Sequence, residues 1–410
     1  MSYKIAQEMY AGLGVDTEKA LEQLAQINLS IHCWQGDDVG GFEKKEQGLF
    51  GGGILSTGDY PGKAQNAQQL RQDLDFALGI IPCKHNVNLH AIYAETEKPV
   101  ERDNLMPQHF AAWVDWAKGK GIGLDINPTF FAHKHAESGF TLSHDDEAIR
   151  DFWIDHAIAC RKIGDYFAKS LGKPCVDNIW IPDGFKDNPI DRYSKRNLLE
   201  DSLDKILADK SLECLDSVES KLFGIGSEAC VIGSHEFYMG YAVKNACMLT
   251  LDSGHFHPTE SIADKLSAIV NYLPGVLLHV SRPIRWDSDH SVILDDELQK
   301  LFAELIRNNL MEKVYLGLDF FDGTINRIAS WVVGATSTLK AALIAMLEPT
   351  QMLRKAEQDG DFTTRIATLE TLKHMPWGLV WQEHCRRAGV QADWLAGVKE
   401  YEKRVLGVRG

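Results

Sequence analysis

Eight short runs of apolar and β-branched residues recur along the chain, each followed by a stretch of helical period. They read INLSIHCW (27–34), NVNLHAIY (86–93), IGLDINPT (122–129), CVDNIWIP (175–182), CLDSVESK (214–221), CMLTLDSG (247–254), GVLLHVSR (275–282) and KVYLGLDF (313–320). Between them lie amphipathic segments such as AQQLRQDLDFALGI (67–80), EAIRDFWIDHAIACRKIGDYFAKSL (147–171) and ADKLSAIVNYL (263–273), whose apolar residues return every three to four positions. Strands that alternate with helices are joined by crossovers and therefore run parallel. Eight such units can close into a (β/α)8 TIM barrel; a doubly wound open sheet is the alternative architecture.

This pattern divides the chain into an N-terminal helical segment (1–26), a catalytic barrel (27–325) and a last barrel helix with a C-terminal helical extension (326–410). The start, MSYKIAQEMYAGLGVDTEKALEQL, reads as a polar helix rather than a signal peptide. Residues 36–62 form a long connection with nine glycines, and its place after the first strand marks it as a lid. No apolar run reaches the roughly 18 residues of a membrane span. A net charge of -15 argues against nucleic acid or an anionic membrane as partner. The eight cysteines are scattered without a CxxC pair, which suits free thiols in a reducing, cytoplasmic setting. The glycine clusters of residues 39–53 lack the phosphate-loop and dinucleotide patterns, so no nucleotide cofactor is expected.

Polar residues gather at the C-terminal ends of the eight runs: Trp34, His90, Asn127, Trp180, Glu219, Lys221, Asp252, His279 and Asp319. That end is where a TIM barrel assembles its site. The segment SRPIRWDSDH (281–290) adds Asp287 and Asp289, and His255 follows Asp252 by three residues. An isolated acid of this kind is more often solvated or capping a helix than a ligand. Five carboxylates in one pocket (Glu219, Asp252, Asp287, Asp289, Asp319), however, repel one another unless cations intervene. Two divalent ions and Lys221 would neutralise them, and oxygen with some imidazole nitrogen suits Mn2+, Co2+ or Mg2+. Glu219 and Lys221 are two apart and share a strand face. Asp252 and His255 share one only if Gly254 makes a turn. His235-Glu236 lacks the second histidine of a metalloprotease motif, Met239 standing there instead, and reads as structure only.

The blocks CWQGDDV (33–39), NLHAIY (88–93), NIWIPDG (178–184), VESKLFGIG (218–226), LDSGHFHPTE (251–260), LLHVSRPIRWDSDH (277–290) and GLDFFD (317–322) resemble those of the L-rhamnose isomerases, in the same order. The resemblance runs from about residue 4 to the C-terminus. It implies a xylose-isomerase-like barrel with two divalent ions, commonly Mn2+, that interconverts L-rhamnose and L-rhamnulose by a 1,2-hydrogen (hydride) shift. One ion would be held by Glu219, Asp252, His279 and Asp319, the other by His255, Asp287 and Asp289. Lys221 would stabilise charge at the sugar's O1, and Asp319 would accept a proton near O2. Trp34, His90, Phe131 and Trp180 would contact the sugar, with Val39, Leu49 and Ile92 against its C6 methyl. The resemblance also implies a homotetramer.

Two rival enzymes share these features: an L-sugar isomerase of broader specificity and a metal-dependent phosphodiesterase on the same barrel type. The second needs a basic groove for phosphate, which the charge of -15 disfavours. A non-catalytic sugar-binding barrel would be free to lose ligands, and all seven are present.

Overall fold

A computed structural model describes residues 2–43, 58–210, 212–221, 229–257, 259–284 and 286–409, with only the backbone described for Trp286 and Asp287. Eight parallel strands close into a barrel. They are β1 (Asn28–His32), β2 (Lys84–His90), β3 (Gly123–Asn127), β4 (Val176–Trp180), β5 (Leu215–Glu219), β6 (Met248–Asp252), β7 (Val276–His279) and β8 (Val314–Leu318). Seven lie within the runs read from the sequence, and β2 begins two residues before its run. Each strand pairs with its neighbours in chain order, and β1 closes on β8 through Leu29 beside Leu316 and Ile31 beside Leu318. An open sheet would leave those two edges apart, so the alternative architecture is excluded.

Alternation along the strands sends Leu29, Ile31, Val87, Leu124 and Ile126 outward beneath the helices, where they are buried. The inward positions are largely polar, and many bond one another. The Ser30 hydroxyl and the Asn86 amide both donate to Asp125, at 2.6 and 3.0 Å, and the Asn88 amide donates to Asn127 at 2.9 Å. Across the barrel, the Thr250 hydroxyl donates to Asn178 at 2.7 Å. Networks of this kind fix side-chain positions more sharply than an aliphatic filling does.

The helices follow the expected periodicity, and the long one spans Glu147–Leu171. The N-terminal segment departs from expectation. It forms two helices, Tyr3–Ala11 and Thr17–Leu24, because the chain turns through Gly12 and Gly14, the latter at φ +75°, before Asp16 caps the second. Helix Arg327–Met346 is long and apolar enough to cross a membrane, yet most of it is buried in the protein core. After it, helices continue to Arg404. Residues 44–57, which contain Leu49 and most of the expected lid, lie outside the described residues.

Candidate active site and metal centre

The strands deliver their last inward side chains to the C-terminal mouth: His32, His90, Asn127, Trp180, Glu219, Asp252 and His279, with Asp319 just past β8. Gly317 makes the crowding possible. A Cβ there would lie 2.8 Å from the His32 ring and 3.0 Å from that of His279, so a larger residue would displace one of them.

His279 is the focus. Its Nδ1 stands 3.1 Å from Glu219 Oε1, 3.1 Å from Asp319 Oδ2 and 3.7 Å from Asp252 Oδ2. One nitrogen and three carboxylate oxygens thus converge within 4.8 Å of one another. Each acid is oriented by a neighbour. The Asn178 amide donates to Glu219 at 2.5 Å; the Gly254 N–H and the Ser281 hydroxyl donate to Asp252 Oδ1 at 2.6 and 2.8 Å. The Trp34 indole N–H donates to Asp319 Oδ1 at 3.1 Å. The Asp252 Oδ2 facing the centre is buried and has no hydrogen-bond partner.

The electrostatics follow from this geometry. Burial, reinforced by the charges of Glu219 and Asp319, raises the Asp252 carboxyl to about 7. Burial works against charge on His279, but Glu219 and Asp319 outweigh it and hold that imidazole well above its usual range. Burial likewise disfavours charge on Asp319, and His32 and His279 overcome it, keeping the carboxyl well below its usual range. A donor set that draws a positive charge into a buried nest of carboxylates is suited to a divalent cation.

The remaining expected residues are placed as follows. His255 returns over the mouth through a turn in which its N–H bonds the Asp252 carbonyl at 3.2 Å. Its Nδ1 lies 2.6 Å from the Ser220 carbonyl and 3.4 Å from Glu219 Oε1. Asp289 sits on a two-stranded ribbon, Arg282–Ile284 against Trp286–His290, with φ +40°. Its carbonyl accepts from the Phe321 N–H at 3.1 Å, which ties the ribbon to the end of β8. The Asp287 side chain lies outside the described residues.

A cavity of about 40 Å³ at the mouth is lined by Trp34, Val39, His90, Phe131 and Trp180, all five expected to contact substrate. Glu219, His255, Asp289 and Asp319 border the same space, and Asn127 and Phe321 complete it. Two further expected residues stand outside this lining. Ile92 is buried beneath Gly41 rather than in the lining. Lys221 is buried beside the mouth, its ammonium donating to the Pro182 carbonyl at 2.8 Å and standing 5.4 Å over the Trp180 ring. Both shifts have one cause: past its last ladder bond a strand no longer dictates which way a side chain points. A larger cavity, about 690 Å³, opens at the opposite end of the barrel, but the convergent acids and imidazoles single out the mouth.

Sequence reasoning passed over His32, whose Nδ1 is 3.1 Å from Asp319 Oδ1. The signal was available, since His32 precedes Trp34 by two residues and occupies a strand end like the others.

Fold and mouth together define a class: a (β/α)8 barrel with a buried histidine–carboxylate group able to hold a divalent metal. The family model for L-rhamnose isomerase (RhaA) matches residues 1–409. The L-rhamnose isomerase of Salmonella paratyphi A is 53% identical over 412 residues, covering 100% of this chain and 98% of its own. That of Klebsiella pneumoniae subsp. pneumoniae is 52% identical over 413 residues, again covering 100% and 98%. Among solved structures, L-ribulose 3-epimerase superposes with a TM-score of 0.52 at 12% identity, covering 82% of this chain and 97% of that one, a likeness of fold. The chain belongs to the L-rhamnose isomerase family. It is an isomerase that acts on a small sugar, L-rhamnose, and the phosphodiesterase reading is not favoured.

Proposed function

We propose that the aldose–ketose interconversion runs at the mouth of this barrel and that Glu219, Asp252, His279 and Asp319 hold a divalent cation there. The observation that carries this is the convergence of His279 Nδ1 with three carboxylate oxygens, one of them the unpartnered Asp252 Oδ2. A second ion falls to His255, Asp287 and Asp289, a reading supported by His255 and Asp289 bordering the same cavity. All-oxygen and imidazole ligation favours Mn2+, with Co2+ and Mg2+ as alternatives. When bound, such ions supply Lewis acidity to the sugar's hydroxyl and carbonyl oxygens.

The chain's own side chains do the rest. Trp34, Phe131 and Trp180 wall the cavity and shed water from the open-chain sugar. His90, which burial drives down to about 3, stays neutral there and offers a hydrogen bond without a charge. Lys221 lies two residues past Glu219, beyond the end of the same strand, where its ammonium can stabilise the charge that develops on O1. Asp319 accepts the O2 proton as the hydrogen passes from C2 to C1, and that proton returns to O1, so the ketose forms neutral. Val39 and Leu49 pack against the C6 methyl, worth roughly 1 kcal/mol.

Helices beyond residue 326 are the proposed contact surface of a homotetramer. Helix Phe362–Leu372 has no buried residue, yet it presents Phe362 and Ile366 to solvent, 53% and 55% exposed. Eight free cysteines support a reducing compartment.

The test is to treat the enzyme with a chelator and assay L-rhamnose, L-lyxose, L-mannose and D-allose with Mn2+, Co2+ or Mg2+ restored. Turnover should vanish on chelation, return with metal and stay absent in Asp252→Asn. Full turnover by metal-free enzyme would refute the assignment.

A further inference from the structure

Strands β4 and β5 break the rule that outward positions are aliphatic. The sequence writes the same triplet at both, Cys-x-Asp, as CVD at 175–177 and CLD at 214–216. Alternation puts the cysteine and aspartate of each triplet on one face. The register sets Val176 beside Leu215 and Asp177 beside Asp216, so Cys175 stands beside Cys214. Two sulfurs and two carboxyls thus form a rectangle on the outer wall of the barrel, near the strands' N-terminal ends. Helix Glu147–Leu171 covers it. A Cβ added to Gly164 of that helix would lie 2.9 Å from Cys214 Sγ and 3.3 Å from Cys175 Sγ, so both thiols point into the same space. Ligand atoms of Asp177, Cys214 and Asp216 lie within 4.8 Å of one another.

An independent observation says this group lacks something. Asp177 is fully buried, and neither of its carboxylate oxygens has a hydrogen-bond partner. Asp216 is matched by the Arg161 guanidinium, which donates to it at 2.7 and 2.9 Å. No such donor reaches Asp177. Burial, with the Asp216 charge next, pushes its carboxyl well above the usual range. A buried carboxyl without partners costs on the order of several kcal/mol unless a proton or a cation meets it.

We propose that Cys175, Asp177, Cys214 and Asp216 form a second, structural site for a soft divalent cation of the Zn2+ or Cd2+ kind. Zinc takes sulfur at about 2.3 Å and carboxylate oxygen at about 2.0–2.2 Å in a tetrahedron, so its ligands stand about 3.3–3.8 Å apart. Asp177, Cys214 and Asp216 need a contraction of about 1 Å to reach that, and Cys175, whose thiol faces the same Gly164, completes the set by rotating toward them. Each cysteine ligand gives up its proton on binding. The cation and Arg161 offset three of the four thiolate and carboxylate charges, and Asp216 keeps lone pairs beyond those that Arg161 uses. Mn2+ prefers the sulfur-free mouth. Cys175, Asp177 and Cys214 are buried and Asp216 is 12% exposed, so the ion is captured as the chain folds and ties β4 to β5.

The experiment refolds chelator-treated, reduced enzyme with Cd2+ and records the ultraviolet thiolate-to-cadmium charge-transfer band. The mouth ligands contain no sulfur, so they cannot produce it. The wild type should show the band with one Cd2+ more per chain than Cys214→Ser, and Cys385→Ser should behave as wild type. Asp177→Asn, close in shape and fit for a buried site, should weaken Cd2+ uptake tenfold or more while circular dichroism shows an intact fold. No band in the wild type, a full band in Cys214→Ser, or unchanged uptake in Asp177→Asn would overturn the proposal.

Discussion

Replacing Trp34 with phenylalanine separates what that side chain does for the metal centre from what it does for the wall of the cavity. In the wild type, Asp319 Oδ1 accepts from the Trp34 indole at 3.1 Å and faces His32 Nδ1 at 3.1 Å, which leaves Oδ2 aimed at His279. Phenylalanine keeps an aromatic face but removes the donor. A hydrogen bond to a charged acceptor contributes about 1.5–3 kcal/mol. The low end applies, because His32 still holds the same oxygen and Asp319 is 18% exposed. A loss of about 1.5 kcal/mol corresponds to roughly a tenfold weaker cation affinity, at the lower edge of what partners behind metal ligands usually contribute. Titration calorimetry of Mn2+ into chelator-treated protein measures it directly. With saturating Mn2+, kcat should recover to within a few fold of wild type. Mn2+ affinity within twofold of wild type would refute the reasoning, as would a kcat deficit that excess Mn2+ leaves uncorrected.

Lys221→Met should lower kcat by about 100-fold or more while leaving the fold intact, as expected when charge stabilisation in the transition state is lost; a change in KM alone would reduce Lys221 to a binding residue. Val39→Ser should cost L-rhamnose about fivefold more in kcat/KM than L-lyxose, which has no C6 methyl to bury; equal losses would remove Val39 from the methyl contact. Gly36→Ala should lower the melting temperature through about 1–3 kcal/mol of overpacking, because its Cβ would meet Leu70 and lie 2.7 Å from the Trp331 ring; an unchanged temperature would mean that these side chains yield freely. His156 is buried between the Thr129 N–H at 2.9 Å and the Arg102 carbonyl at 3.0 Å, and burial followed by the Arg102 charge lowers it from 6.5 to about 3. Between those values the unfolded chain binds the proton and the folded one does not, so the stability His156 contributes above 6.5 is lost as pH falls towards 3. In His156→Gln the decline of stability with acid should be shallower by about 1.4 kcal/mol per pH unit; an unaltered slope would show that His156 titrates in the folded protein.

The strand–helix alternation was legible in the chain because each element carries its own period: seven of the quoted runs hold a whole barrel strand, the eighth holds all but the first two residues of β2, and the helix at 147–171 has the expected bounds. The acids and imidazoles of the mouth were legible for a related reason. A residue at the C-terminal end of a parallel strand has one place to go once the barrel closes, so Glu219, Asp252 and His279 could be grouped before their contacts were seen. Residues beyond the strand ends were another matter. Ile92 and Lys221 sit where the ladder has stopped, and their directions are set by Gly41, Pro182 and Trp180, none of which a strand period encodes. The break between the first two helices depended on a left-handed turn at Gly14 rather than on hydrophobic spacing. The pairing of the two Cys-x-Asp triplets lay wholly outside local sequence, since 39 residues separate Asp177 from Asp216 and only the register of β4 against β5 makes them neighbours. Local period and residue type determine which elements form and which faces they bury. Which side chains meet across elements is decided by closure of the sheet, because strand register is a property of the pair and not of either strand alone.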